Sequence, residues 1–284
     1  MRRTCTLLAV LLLFGYTMRS AGLPALDSGG APAIDLMFQA AVDKGEIPGV
    51  VAAVTNKDQI LYLKAFGKQN AGQGIPMSTD TVFRIASMTK PVTSVGVMML
   101  YEQGKLKLDD AAGNYVPGLK GREVIATFNE KDATFTTRPA KKEMTIRHLL
   151  THTSGLGYPF TSFTVLGIQQ KMGTNPVDMP LLFDPGTRWT YSASTAVLGT
   201  IVEKLSGQPI EEFDQTKIFH PLGMVDTGFV VPDATSPATS LTGSPRGTYS
   251  LQTASNGTIR TQFIQLVRPA NANTVIGVFG QLPI

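Results

Sequence analysis

A chain of 284 residues in which 43% of the side chains are apolar can bury the core of one large domain. Its formal charge of +4 is scattered, and no basic stripe interleaved with aromatics marks a nucleic-acid partner. The one cysteine, Cys5, lies near the N-terminus, which excludes disulfides and cysteine catalysis from the rest of the chain.

Arg2 and Arg3 precede an apolar run from Leu7 to Phe14, and small residues follow at Ser20, Ala21 and Gly22. Residues 1–22 therefore read as a secretory signal peptide, too short for a comfortable membrane span, with export to the periplasm or the medium as the expectation. No other run could cross a bilayer, so no membrane contact is expected beyond that segment. A Gly/Pro-containing stretch leads into a body expected over 33–284. It opens with a helix over Ala33 to Lys44, then strands at Gly49 to Thr55 and Gln59 to Phe66 joined by a hairpin at 56–58.

A helix is predicted from Ser87 to about Gln103-Gly104, with Met88, Val92, Val95, Met98 and Met99 as its apolar face. Lys107 to Asp110 leads into a loop-rich region. Met144 to His152 reads as a further helix closed by Ser154-Gly155. The turn Phe183 to Trp189 delivers Tyr191-Ser192-Ala193-Ser194 to a helix whose buried face is Val197, Leu198, Ile201, Val202 and Leu205. Beyond Pro232 the chain turns Ser/Thr/Gly-rich, with strand-like runs at Thr261 to Val267 and Thr274 to Phe279. There is no internal repeat.

Ser87 and Lys90 stand at i, i+3 spacing, which puts their side chains on one helix face, close enough to share a proton. A serine hydroxyl is a weak nucleophile until a base removes its proton, and a neutral lysine can be that base. Pro91 fits only a first turn, so the helix begins near Ser87, where the positive end of the macrodipole favours an anion. Free lysine has a pKa near 10, so only about one molecule in a thousand offers a base at neutral pH. A capping serine followed by a solvated lysine also fits these four residues alone.

His148 and His152 are four apart on a predicted helix, but a zinc-protease helix needs glutamate where Leu149 stands. No G-x-S-x-G elbow and no phosphate-binding glycine loop occurs. Neither a metal nor an organic cofactor is expected.

Taken together, Ser87-Met88-Thr89-Lys90, Tyr191-Ser192-Ala193 after a Pro-Gly-Thr-Arg-Trp turn, and the segments IRHLLTHTSGL and IFHPLGM resemble the serine β-lactamase-related hydrolases. That group includes class C β-lactamases, D-alanyl-D-alanine peptidases and esterases on the same fold, and the resemblance covers residues 49–229. It implies an α+β protein, an antiparallel sheet flanked by helices with a helical region inserted into it, and a site between the two parts. It also implies that Ser87 is the acyl-accepting nucleophile, with Lys90 and Tyr191 handling its proton. The Ser87 N–H would form half of an oxyanion hole. Which of Lys90 and Tyr191 is the general base stays open, because the two should titrate as a unit.

The sequence departs from the family pattern in two places. Asparagine usually fills the third position of the tyrosine motif, where its amide holds a substrate amide; here it is Ala193, with Ser192 and Ser194 as candidate substitutes. An unpaired substrate carbonyl would cost roughly 1–3 kcal/mol, which favours esters over β-lactams. The late Lys/His-Thr/Ser-Gly strand motif has no clear copy. Leu241-Thr242-Gly243 is nearest, and His152-Thr153-Ser154-Gly155 reads as a structural turn. The tail 233–284 is atypical, so a shortened C-terminal part with sheet strands missing is an expectation. The sequence therefore predicts an exported serine hydrolase acting on a small ester or amide. A β-lactamase or D,D-peptidase is the alternative within the family, and a non-catalytic binding protein the alternative outside it. Hydrolysis and acyl transfer are not separated, and the sequence does not give the oligomeric state.

Overall fold

The computed structural model describes residues 30–56, 60–70, 74–79, 81, 83, 85–224 and 227–229, together with the backbone of strand segments 239–240, 262–264 and 275–281. The expected signal peptide, the hairpin tip after Asn56 and the Leu241-Thr242-Gly243 string lie outside the described residues.

The first helix, α1 (Gly30–Asp43), packs on a five-stranded antiparallel sheet ordered β3-β2-β1-β9-β8. Its members are β1 (Gly49–Thr55), β2 (Ile60–Asn70), β3 (Ile75–Pro76), β8 (Gln262–Ile264) and β9 (Val275–Gln281). Each strand-like run predicted in the atypical tail contains a strand among the described residues, and β9 lies antiparallel beside β1, with Val50 opposite Gly280. That central place explains why β1 is almost continuously apolar: its two faces are both covered. Val50, Ala52 and Val54 meet Phe38 of α1, while Val51 turns to Met77 and Phe83 on the other face. Asp35 of α1 ties the helix to β2, accepting from the Tyr62 hydroxyl at 2.6 Å and pairing with Lys64. At the entry to β1, a Cβ on Gly49 would lie 2.4 Å from the Lys68 carbonyl, so only glycine admits this approach.

The second body is helical. It contains α2 (Thr89–Glu102), α3 (Ile146–Leu150), α4 (Phe163–Met172), α5 (Ser194–Ser206) and α6 (Ile210–Asp214), which continues into a π-helical turn, Gln215–Phe219. Val197, Leu198, Ile201 and Val202 of α5 are all buried against Val97, Leu100, Ile146, Leu149 and Phe213, as the apolar face predicted. Each such side chain contributes roughly 1.5–3 kcal/mol by leaving water. The predicted face of α2 is corrected by rotation. Its buried residues are Thr89, Thr93, Gly96, Val97 and Leu100, whereas Val95 and Met98 face solvent. Gly96 lets α2 lie close against the Phe213 ring, from which a Cβ there would be only 3.1 Å away. Small residues let α2 lie close to its neighbours, and hydropathy alone does not reveal that.

The region expected to be loop-rich contains a hairpin, β4 (Glu123–Asn129) with β5 (Thr134–Pro139), and α4 follows it unpredicted. Leu181 joins the edge of β4 through two backbone hydrogen bonds of 2.8 and 2.9 Å. Val165, Ile168 and Met179 fill the space between α4 and the hairpin. The short strands β6 (Thr227–Gly228) and β7 (Thr239–Ser240) pair in parallel. No helix of the described residues is long and apolar enough to cross a membrane.

Candidate active site

Ser87 lies in a 3-10 turn, Ala86–Met88, immediately before α2. The turn is entered through Ala86 at φ +41°, a left-handed conformation that costs a non-glycine residue energy. The sharp entry leaves the Ser87 side chain exposed while α2 runs back into the core. Lys90, in the first turn of α2, places Nζ 3.3 Å from Ser87 Oγ, so the i, i+3 spacing does what it predicted.

Tyr191 is brought to the same place from another part of the chain. Lys90 Nζ lies 4.8 Å from the centroid of its ring and 5.8 Å from that of Tyr158. The Tyr158 and Tyr191 centroids are 5.8 Å apart, and Phe160 stacks on Tyr158 at 4.8 Å with 18° between the planes. The three predicted residues thus converge, and Tyr158 joins them although the sequence singled out no role for it. Phe160, 74% exposed, extends the aromatic wall to solvent.

Tyr191 owes its place to two chain segments that run side by side. Gly186 N–H donates to Thr153 O at 2.7 Å, Thr190 N–H to His152 O at 2.9 Å and Leu182 N–H to Gly155 O at 2.7 Å. Gly155 sits at φ +89°, and a Cβ there would be 2.5 Å from the Phe183 carbonyl. Asp184, nearly buried, anchors the turn. It accepts two bonds from Arg138, at 3.0 and 2.7 Å, and one from the Lys141 N–H at 2.9 Å. Arg138 first and the Lys141 N–H second hold its carboxyl down at about 2. Thr161 Oγ1 lies 3.1 Å from the carbonyl oxygens of both Tyr158 and Tyr191, so its single proton is shared between them.

Ser192 and Ser194 are not substitutes for the missing amide. Both are fully buried and bonded to the protein: Ser192 Oγ lies 2.7 Å from Ser194 Oγ, and Ser194 Oγ lies 2.8 Å from Ser154 Oγ. Ala193 is buried and apolar. His152, expected in a structural turn, has left-handed backbone and points its Nδ1 at Ser192. His148 is turned elsewhere: its Nδ1 accepts from the Thr145 N–H and completes a capping box on α3. Among the described residues no group of three or more His, Cys, Asp or Glu is placed to hold a metal.

Known proteins share this sequence pattern and fold. The Beta-lactamase family model matches residues 34–260. Esterase EstB of Burkholderia gladioli is 35% identical over 222 residues, spanning 72% of this chain and 53% of that protein. The lovastatin esterase of Penicillium rubens is 32% identical over 210 residues, 69% of this chain and 52% of its own. Among solved structures, unliganded simvastatin synthase from Aspergillus terreus superposes with a TM-score of 0.60 at 30% identity, covering 69% of this chain and 53% of that one. The chain belongs to the beta-lactamase family and has its fold. It spans about half the length of the curated relatives it matches.

Proposed function

We propose that the protein is a serine hydrolase that forms an acyl-enzyme on Ser87, with carboxylic esters as its substrates. The observation that carries this is the 3.3 Å contact of Ser87 Oγ with Lys90 Nζ, with the Tyr191 ring 4.8 Å from the same nitrogen. In this reading Ser87 Oγ attacks the ester carbonyl and its proton passes to the Lys90–Tyr191 pair. The pair returns the proton to the departing alcohol, and water repeats the sequence to free the acid. Two features support esters over β-lactams. The buried Ala193 offers no amide donor, and the relatives at 35% and 32% identity are named esterases. Acyl transfer to an acceptor other than water is the second reading, favoured by a relative at 30% identity that is named an acyltransferase. Export is part of the proposal and rests on the pattern Arg2, Arg3 and Leu7 to Phe14.

The test is the intact mass of the protein after exposure to a fluorophosphonate, beside a Ser87→Ala control. A single adduct absent from the control is expected. No adduct on folded protein would replace the enzyme with a binding protein, and an adduct on the control would move the nucleophile to another serine.

A further inference from the structure

His152 holds the chain on both sides of Tyr191. Its carbonyl accepts from the Thr190 N–H at 2.9 Å, and its ring nitrogen Nδ1 accepts from the Ser192 N–H at 3.3 Å. The ring itself packs on Tyr191, centroid to centroid 5.0 Å. A backbone N–H only donates, so this contact requires an Nδ1 without a proton, as in the neutral imidazole protonated on Nε2.

The same nitrogen ends a row of buried hydroxyls. Leu156 N–H donates to Ser154 Oγ at 3.2 Å, which lies 2.8 Å from Ser194 Oγ, then 2.7 Å to Ser192 Oγ, then 3.1 Å to His152 Nδ1. Ser194 N–H donates to Ser192 Oγ at 3.4 Å. With a bare nitrogen at the imidazole end, each hydroxyl donates once toward it, and the Ser192 O–H and N–H share the one lone pair of Nδ1. If Nδ1 took a proton, the Ser192 hydroxyl would lose its acceptor, and the row would have to reverse to restore one. The Ser192 N–H would then lose its acceptor, and among the described contacts the Ser154 proton would have none.

We propose that His152 is a positioning residue whose neutral imidazole sets the direction of this hydroxyl row and so holds Tyr191 against Lys90, and that its protonation releases Tyr191. The inference rests on the proposed reaction for its effect on Ser87, and on geometry alone for its effect on Tyr191. The surroundings keep the imidazole neutral. Burial, and then the charge of Lys90 on α2, lower its pKa below the usual 6.5. Tyr191 and Trp189 approach it as rings, and among the described residues no carboxylate opposes the shift. A lowered pKa means the held arrangement is complete above 6.5 and lost as pH falls through the lower folded value.

The test is NMR on protein carrying 15N-histidine and 13C-tyrosine, with His152→Asn and Tyr191→Phe to assign the two signals. Asparagine suits the left-handed backbone at φ +55° and offers an acceptor that does not titrate. His152 is expected as the Nε2–H tautomer at pH 7, with a midpoint below 6.5. The Tyr191 carbon signal should follow with the same midpoint, and that response should vanish in His152→Asn. Fluorophosphonate labelling of Ser87 should fall about tenfold per pH unit below that midpoint, a component absent from the Asn variant. Should His152→Asn not fold, Ser192→Ala serves in its place. It removes the last hydroxyl of the row and should move the His152 midpoint and the Tyr191 response together. An Nδ1–H tautomer, a Tyr191 signal indifferent to His152, or an unchanged acid limb in the Asn variant would overturn the proposal. Coincident midpoints without labelling at any pH would overturn the hydrolase reading and still support the switch.

Discussion

The two regions that meet at Ser87 and Tyr191 each bury an aspartate, and they treat it in opposite ways. On the Tyr191 side, Asp184 receives two guanidinium bonds and a backbone N–H, and its carboxyl is held down at about 2. On the Ser87 side, Asp214 lies at the end of α6, next to the Phe213 that supports α2, with no exposed surface. Neither of its oxygens has a hydrogen-bond partner among the described residues, and burial pushes its carboxyl up to about 7. The Tyr191 side is thus a polar scaffold that needs its charges. The Ser87 side is an apolar support that is better without one. The difference shows that a two-sided site need not be stabilised in one way, and that its halves can answer pH with opposite signs.

The largest effects come from removing the groups that meet between the regions. Ser87→Ala should abolish fluorophosphonate labelling and ester turnover. Lys90→Ala and Tyr191→Phe should each lower kcat/KM by about 10²–10⁴, measured on a small activated ester. Wild-type rates in either would remove that residue from the reaction. Next, Gly155→Ala forces a Cβ into the Phe183 carbonyl at a left-handed position. A loss of roughly 3 kcal/mol, read from urea unfolding, is expected on the Tyr191 side.

Asp214→Asn should act the other way. A carboxyl whose folded value is raised gives its stability below its unfolded value of 3.8 and loses it as pH rises through about 7. The neutral variant should therefore gain on the order of 2–4 kcal/mol over the wild type at pH 8, and nothing at pH 3. A gain that persists at pH 3 would separate the effect from ionisation. Asp184→Asn completes the contrast. Asp184 stabilises above 3.8 and loses that contribution as pH falls toward about 2. The variant should melt lower than wild type at pH 7, with the gap closing in acid.

The parts of this arrangement that sequence revealed are those written in short-range spacing. Ser87 and Lys90 announce themselves at i, i+3, and the α5 face repeats at helical intervals and is buried as expected. The β4–β5 hairpin gave little sign because much of both strands is exposed, so Thr and charged residues replace a clean alternation. Its turn uses Ala133 at φ +53°, where a glycine would have marked the bend. The helix α4 did carry legible ends, a Ser162 cap and Gly173 in the left-handed region, but too weak an apolar stripe between them. The row from Ser154 to His152 was beyond reach. Its members are paired across 40 residues, and serines give no periodic signal.

The pairing of β1 with β9 also has a consequence for synthesis. Val50 leaves the ribosome early, yet one of its two neighbouring strands contains Gly280. At about 5–20 residues per second, β1 waits on the order of ten seconds or more with one backbone edge open. The contacts among α2, α3, α5 and α6 come from chain made in the interval, so the helical body can assemble first. During that wait the Val-rich edge of β1 is open to pairing with the wrong strand, its own or another chain's. Whatever covers residues 49–55 until 275–281 pair with them therefore bears on yield before the active site is assembled.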